Sequence, residues 1–256
     1  MRTIDLDLPA VDSQRRIAEF LDRETAQIDA LIAKQQQLIS TLAERRRVLV
    51  WRLVTKGLAT DDAFKPSGAA WIGEVPQRWG TPRLGHLLQI RNGADYKDVQ
   101  DDDGQYPVYG SGGEFARAKD YLYDGDALLL GRKGTINRPL LVTGRFWTVD
   151  TMFYGVPTAA LDLRYLHFAA LSFPYDELST STALPSMTAS GLKAIRVPHP
   201  PLSEQRQIAG VLDAATAEID ALGAKANEAI QLLKERRQAL ISAAVTGQIN
   251  VGGKSK

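Results

Sequence analysis

The sequence has no cysteine and only three histidines in 256 residues. Without cysteine there is no disulfide framework and no cysteine-ligated zinc or iron–sulfur site, a composition that fits a reducing compartment. Long apolar runs are also missing. A membrane-spanning helix needs about 20 mostly apolar residues, whereas the longest run here, around Ala127–Leu130, is strand-sized. The opening MRTIDLDLPAVDSQRR carries no apolar core of signal-peptide length, so a cytoplasmic location without membrane contact is expected. Neither sign of charge dominates: 31 Lys and Arg stand against 30 Asp and Glu, a net charge of +1. The total therefore points neither toward nor away from nucleic acid, and the distribution of charge has to decide. Hydrophobic residues at 44% and charged residues at 24% are ordinary for a globular protein. The length suits one large or two modest domains.

Proline is absent from two long stretches, and those stretches are copies of one another. Gln14–Thr55 reads QRRIAEFLDRETAQIDALIAKQQQLISTLAERRRVLVWRLVT, and Gln205–Thr246 reads QRQIAGVLDAATAEIDALGAKANEAIQLLKERRQALISAAVT. They align without a gap and about half their positions are identical, including the block Ile-Asp-Ala-Leu at Ile28–Leu31 and Ile219–Leu222. Pro9 precedes one copy and Pro200 the other at equivalent positions. Apolar residues recur at steps of three and four in both: Ile17, Leu21, Ile28, Leu31, Leu38, Leu42 and Leu49 in the first, and Ile208, Leu212, Ile219, Leu222, Leu233 and Leu240 in the second. Glu24, Gln35 and Arg45 interrupt the first series, and alanines fill the second. This is the heptad seam of a coiled coil. One helix cannot bury such a seam alone. The simplest partner is the other copy in the same chain, antiparallel or parallel, and the next is a second chain. A long surface helix of an ordinary α/β domain is the plainer alternative. Aspartate at Leu31 or Leu222 is expected to disrupt pairing. Asp12 or Ser13 is the expected N-cap of the first helix and Ser203 that of the second, with Gly57 and Gly247 as stops.

The copies bracket a region of different character. Residues 58–80 read as an irregular connector, which Trp71, Ile72, Val75 and Trp79 pack onto the next domain. Residues 81–200 form an inserted domain with strand-length runs at 84–90, 106–113, 126–134 and 139–157. A helical stretch follows around 162–172, then a short helix and a strand ending at Pro198. The fold class is α+β: one mixed, β-rich domain bracketed by two long helices, at 1–57 with its lead-in and at 201–247, and a flexible tail at 248–256.

No catalytic constellation stands out. Gly131-Arg132-Lys133-Gly134-Thr135 is too short for a phosphate-cradling loop and lies in strand-like sequence. The sequence has no cofactor glycine motif and no Asn/Asp-Pro-Pro-aromatic motif of an adenine methyltransferase. Asp101-Asp102-Asp103 reads as a solvated loop rather than a metal-dependent nuclease site, and His86, His167 and His199 are too scattered to act together. Nucleic-acid binding fares better. The inserted domain interleaves Arg91, Lys97, Arg117, Lys119, Arg132, Lys133, Arg138, Arg145 and Lys193 with tyrosines and with Asn92, Ser111, Asn137 and the hydroxyl run Ser179–Thr182. Cations neutralise phosphates, while hydroxyls, amides and guanidinium groups reach phosphates and base edges.

Several motifs in order give a specific resemblance. They are Lys65-Pro66-Ser67-Gly68 with Trp71-Ile72-Gly73-Glu74-Val75-Pro76, then Tyr106-Pro107-Val108-Tyr109-Gly110-Ser111-Gly112-Gly113, then Leu129-Leu130-Gly131-Arg132-Lys133-Gly134. The run from Pro200-Pro201-Leu202-Ser203-Glu204-Gln205 through Arg236-Arg237 to Thr246-Gly247 completes the set. Across nearly the whole chain the sequence resembles the specificity (S) subunits of type I restriction–modification systems. The resemblance implies a DNA-reading subunit without catalysis of its own. Such subunits carry two target-recognition domains separated by two paired helices that dock two methyltransferase (M) subunits, and motor-nuclease restriction (R) subunits complete the enzyme. It further implies that this chain binds no cofactor itself. The methyltransferase would use S-adenosylmethionine, and the restriction subunit ATP and Mg.

The chain departs from that pattern in having both helices but one recognition domain. Either it is a half-length subunit that pairs with its own copy and reads a twofold-symmetric split site, or it is a fragment or split partner of a longer subunit. A coiled-coil adaptor whose domain binds protein is the alternative from another class. Residue type and motif position nominate Arg91, Asn92, Tyr109, Ser111, Arg132, Lys133 and Ser181 for contact with double-stranded DNA.

Overall fold

The structure, a computed structural model, describes residues 9–59, 62–180 and 184–249. Two long helices, α1 (Val11–Lys56) and α6 (Leu202–Val245), flank the rest in sequence. Between them come β1 (Phe64–Pro66), β2 (Glu74–Pro76), α2 (Leu84–Leu87), β3 (Leu88–Asn92), β4 (Tyr106–Gly110), β5 (Gly113–Ala118), β6 (Tyr123–Asp124), β7 (Ala127–Gly131), β8 (Leu140–Val142), β9 (Arg145–Thr148), β10 (Met152–Pro157), α3 (Leu163–Ala170), α4 (Tyr175–Leu178) and α5 (Ala189–Ala194). The chain divides into two compact units. Arg47–Ala215 forms one; the helical segments up to Arg46 and from Thr216 form the other.

In the helical unit the two repeats pair, and two ion pairs fix their direction. Arg237 Nε lies 3.0 Å from Asp29 Oδ1, and Arg46 Nε lies 3.6 Å from Asp220 Oδ1. The first is a hydrogen bond; the second is too long to be one. Moving from Asp29 forward to Arg46 requires the same number of steps as moving from Arg237 back to Asp220, so the helices run antiparallel. Asp29 and Asp220 are equivalent positions of the repeat, as are Arg46 and Arg237. Each copy therefore gives its aspartate to the other's arginine, the signature of a local pseudo-twofold axis.

The seam differs from a strict heptad. Ile28, Leu42, Ala226 and Ile230 are buried, and Leu21, Ile32, Gln35, Ile39, Ile219 and Leu233 are half-buried. Leu31, Leu38 and Leu222, expected on the seam, are instead 45%, 43% and 50% exposed. An α-helix turns every 3.6 residues, so a seam of strict sevens drifts off the contact face unless the helices supercoil or a step of four is inserted. Here the contact face steps by four from Glu24 to Ile28 and by four again to Ile32. Ile39 and Arg46 then take the places expected of Leu38 and Arg45, and Gly223 that of Leu222. Ile208 and Leu212 are buried in the core of the other unit.

The helix ends also differ from expectation. α1 starts at Val11, with Ser13 and Gln14 N–H both donating to Ala10 O, so Asp12 and Ser13 already lie inside it. α6 starts at Leu202, with Glu204 and Gln205 N–H donating to Pro201 O, so Ser203 is inside as well. Gly57, at φ 76°, supplies the left-handed stop of α1.

The second unit is layered. The sheet β3-β10-β7-β8 lies between helices on one side and the sheet β5-β4-β9-β6 on the other. Successive strand residues point to opposite faces, and β7 uses both: Leu128 and Leu130 enter the helix-facing core, Ala127 and Leu129 the core between the sheets. All five β7 residues are buried, which is why ALLLG has no polar alternation. The expected irregular connector contains a hairpin, β1 with β2, whose Ile72 and Val75 are fully buried with Trp79. The run expected as a strand from Leu84 opens with the helical turn α2, because Leu84, Leu87 and Leu88 all face one core at helical spacing. The strand expected to end at Pro198 is reduced to isolated bridges, Arg83 with Arg196 and Gly80 with His199.

Tyr165 closes this unit. Its buried hydroxyl faces two carbonyls, Val54 O at 3.1 Å and Pro198 O at 2.9 Å, joining α3 to the end of α1 and the approach to α6. Burial, then the Glu204 charge, hold its pKa well above the ordinary phenol value. Tyr175, equally buried, has a hydroxyl with no hydrogen-bond partner among the described residues.

Two predictions follow from this packing. Ile28→Asp or Leu42→Asp is expected to cost more than about 2 kcal/mol, since each buries a charge in the seam. Leu31→Asp and Leu222→Asp should stay within about 0.5 kcal/mol. Denaturant melts check this, and equal losses at Leu31 and Ile28 would reject the register. Tyr165→Phe strips two buried carbonyls of their donor and should cost about 1–3 kcal/mol, whereas Tyr175→Phe should be neutral or stabilising, as read by thermal melts.

Candidate nucleic-acid interface

Five strand ends meet at one edge of the layered unit. β3 and β7 both run antiparallel to β10, so Asn92 and Gly131 end where Met152 begins. β4 and β9 are parallel, bringing Gly110 and Thr148 to a common end. Loop hydrogen bonds stitch these ends together: Val149 N–H to Tyr109 O, Gly93 N–H to Met152 O, Ala94 N–H to Thr148 O and Arg132 N–H to Thr151 O. Gly93 is forced to be glycine by this closeness. A Cβ there would lie 2.0 Å from Val149 O and 2.6 Å from Thr148 O.

The turn after β7 then folds against the segment before α5. Gly134 N–H donates to Pro185 O and Met187 N–H to Arg132 O, both at 2.8–2.9 Å. The result is a groove of about 340 Å³ lined by Asn92, Arg132, Lys133, Phe153, Thr180, Ser186, Met187, Thr188 and Ala189. Its two charged side chains are both cations. Lys133 is exposed and Arg132 half-buried. Arg132 Nη1 donates to Asp150 O at 3.2 Å, and its guanidinium lies 5.8 Å from the Phe153 ring centroid. Thr180 and Ser186 hydroxyls bond each other at 2.9 Å, and Thr188 caps α5 by accepting from Gly191 N–H.

The nominated residues separate. Asn92, Arg132 and Lys133 come together in the groove. Ser111 lies beside it, its hydroxyl 3.8 Å from where a Gly134 Cβ would be. Arg91 does not join them, because adjacent strand residues face opposite ways: its guanidinium bonds Gln89 and lies over Tyr123 and Tyr154 at 5.7 and 6.0 Å. Tyr109 is engaged edge-on with Phe146; burial, then Glu114, raise its pKa. Ser181 lies outside the described residues. Ser186 and Thr188 were not nominated. The spacing Thr188-x-x-Gly191, an N-cap before a short helical run, was the available sign.

Elsewhere the structure shows what competing residues do. Asp101 organises a turn, accepting from Asp103 N–H at 3.0 Å through its carboxylate and from Gly104 N–H through its carbonyl. His167 Nε2 lies 3.2 Å from Pro139 O. Among the described residues no group of three or more His, Cys, Asp or Glu is placed to hold a metal ion.

Comparison with known proteins bears on the family and the fold. The family profile described as "Type I restriction modification DNA specificity domain" matches residues 76–232. The chain is 26% identical over 179 residues to the type I restriction enzyme EcoDI specificity subunit of Escherichia coli, covering 69% of this chain and 40% of that protein. It is 24% identical over 274 residues to the putative type I restriction enzyme MjaX specificity subunit of Methanocaldococcus jannaschii, covering 98% of this chain and 60% of that protein. The chain thus spans about half the length of these relatives. Two solved structures share its fold. One, described under "Structural basis underlying complex assembly and conformational transition of the type I R-M system", superposes with a TM-score of 0.75 at 18% identity over 94% of this chain and 61% of its own. The other, the HsdS subunit from Thermoanaerobacter tengcongensis, gives 0.58 at 19% identity over 94% and 60%.

Gly93→Ala tests whether the joined strand ends are as close as described. It is expected to destabilise the protein by about 1–3 kcal/mol through overpacking. Gly112→Ala, with nothing within 4 Å of the new methyl group, should leave the melting temperature unchanged.

Proposed function

The chain belongs to the type I restriction modification DNA specificity family, and from that premise we propose that it is the non-catalytic DNA-reading component of a type I restriction–modification enzyme. The observation that carries the proposal is the groove at the joined strand ends. Two cations, an amide and three hydroxyls converge there, with no carboxylate among the described lining residues. Such a lining suits a phosphate backbone and the base edges beside it. In this reading the layered unit contacts double-stranded DNA, while the paired helices hold methyltransferase and restriction subunits. Those partners bring S-adenosylmethionine, ATP and Mg; this chain brings the address. A symmetric pair of chains reading a split, twofold-symmetric site extends the same proposal, supported by the self-complementary repeat.

Salt-dependent DNA binding is the test. Affinity for duplex DNA should fall with salt on a log–log slope of about −0.9 per phosphate neutralised. Lys133→Ala should weaken binding to all sequences alike and make that slope shallower by about one contact. Binding that is insensitive to salt, or a Lys133→Ala protein indistinguishable from the parent, would reject the groove as the contact surface.

A further inference from the structure

Two side chains lining the groove, Asn92 and Arg132, end in planar groups with several hydrogen-bonding atoms. Asn92 is the last residue of β3 and the direct cross-strand partner of Phe153 on β10. Arg132 follows β7 on the other side of β10, and its guanidinium lies over the same Phe153 ring. Asn92 and Arg132 are thus brought to the same groove from opposite sides of β10. Arg132 is further fixed at both ends. Its backbone bonds Thr151 O and Met187 N–H, and Nη1 bonds Asp150 O. Only one of its five N–H donors is engaged in that contact. The Asn92 amide makes no hydrogen bond among the described residues, although its position is set by the ladder to Phe153. Lys133 is different: a flexible, exposed ammonium on the turn, suited to a phosphate as a point charge.

We propose that Asn92 and Arg132 are the specificity-determining pair of this domain, Asn92 pairing with an adenine and Arg132 with a guanine in the major groove, while Lys133 holds the backbone. The inference rests on the DNA-reading function proposed above and deepens it. Asparagine matches the N6 and N7 edge of adenine, and arginine the O6 and N7 edge of guanine, each in two parallel hydrogen bonds. β3 and β7 lie either side of β10, so the two readers start on the order of 10 Å apart. Base pairs rise about 3.4 Å each along the duplex. The pair therefore addresses different base pairs of one short block, not a single one.

Selection from a randomised duplex library, using the full chain alone and with its methyltransferase subunit, decides the matter. The unmodified protein should enrich a block containing both an A·T and a G·C position. Asn92→Ala should relax the preference at the A·T position by roughly 5- to 150-fold and leave the G·C position intact. Arg132→Lys keeps the charge but loses the fork, and should relax only the G·C position. Lys133→Ala should lower recovery of every sequence without changing the enriched block. Thermal melts equal to the parent's show that each variant is folded; a variant that melts early is replaced by Asn92→Ser or Arg132→Gln, for which the same positional losses are expected. If the Asn92 and Arg132 variants lose affinity uniformly while the enriched block is unchanged, this assignment is overturned and the DNA-reading function stands. If the parent chain enriches nothing and binds without salt dependence in either form, the function itself fails.

Discussion

An apolar stripe along a helix of 46 residues has to be covered, and no helix covers its own stripe. That constraint shapes the helical unit. The second copy of the same sequence supplies the cover, and it does so antiparallel because only then can each aspartate of the repeat meet the other copy's arginine. The ion pairs are exposed and contribute about 0–1 kcal/mol each. Their weight lies in orientation: a parallel pairing would bring like positions of the repeat side by side. Burial of Ile28, Leu42, Ala226 and Ile230 provides the stability, and the charges select the register in which it is obtained.

The layered unit is held together differently. β7 is enclosed on both faces, so its residues answer to two cores at once. Polar networks then close the gaps between elements. Glu204 accepts from Arg78 at 2.7 Å and from the buried Trp79 indole at 3.0 Å, and hydrogen bonds to Asp62, then to Glu204, raise the Arg78 pKa. Gln205, fully buried, donates to Pro200 O and accepts from Asp162 N–H. With Tyr165 they fix the start of α6 to the strand-bearing core. Functional groups can then sit on short loops, because each loop is anchored within one or two residues of a buried strand.

Much of this was legible in the sequence. A repeat separated by unlike sequence, heptad-like spacing and the strand-length runs defined both long helices and the β-rich insert. What failed has a common cause. Leu31, Leu38 and Leu222 look like seam residues because counting by sevens ignores the 3.6-residue turn, and only a packed helix pair shows where the step of four is inserted. Arg91 and Asn92 are neighbours in sequence, yet a strand sends them to opposite faces. Whether a given loop cation lines the groove depends on strand register, which the amino-acid order does not display. Ser186 and Thr188 entered the site through a hydrogen bond between Met187 and Arg132, a contact between distant segments with no local signature.

The exchange of aspartate and arginine between the repeats has one more consequence. Each helix is complementary to its own duplicate, and the contacts are the same whichever chain that duplicate belongs to. Pairing within a chain and pairing between chains are then separated by effective concentration rather than by bonding. The folded segment between the repeats keeps one duplicate close at hand, at a local concentration that a neighbouring molecule must match to compete.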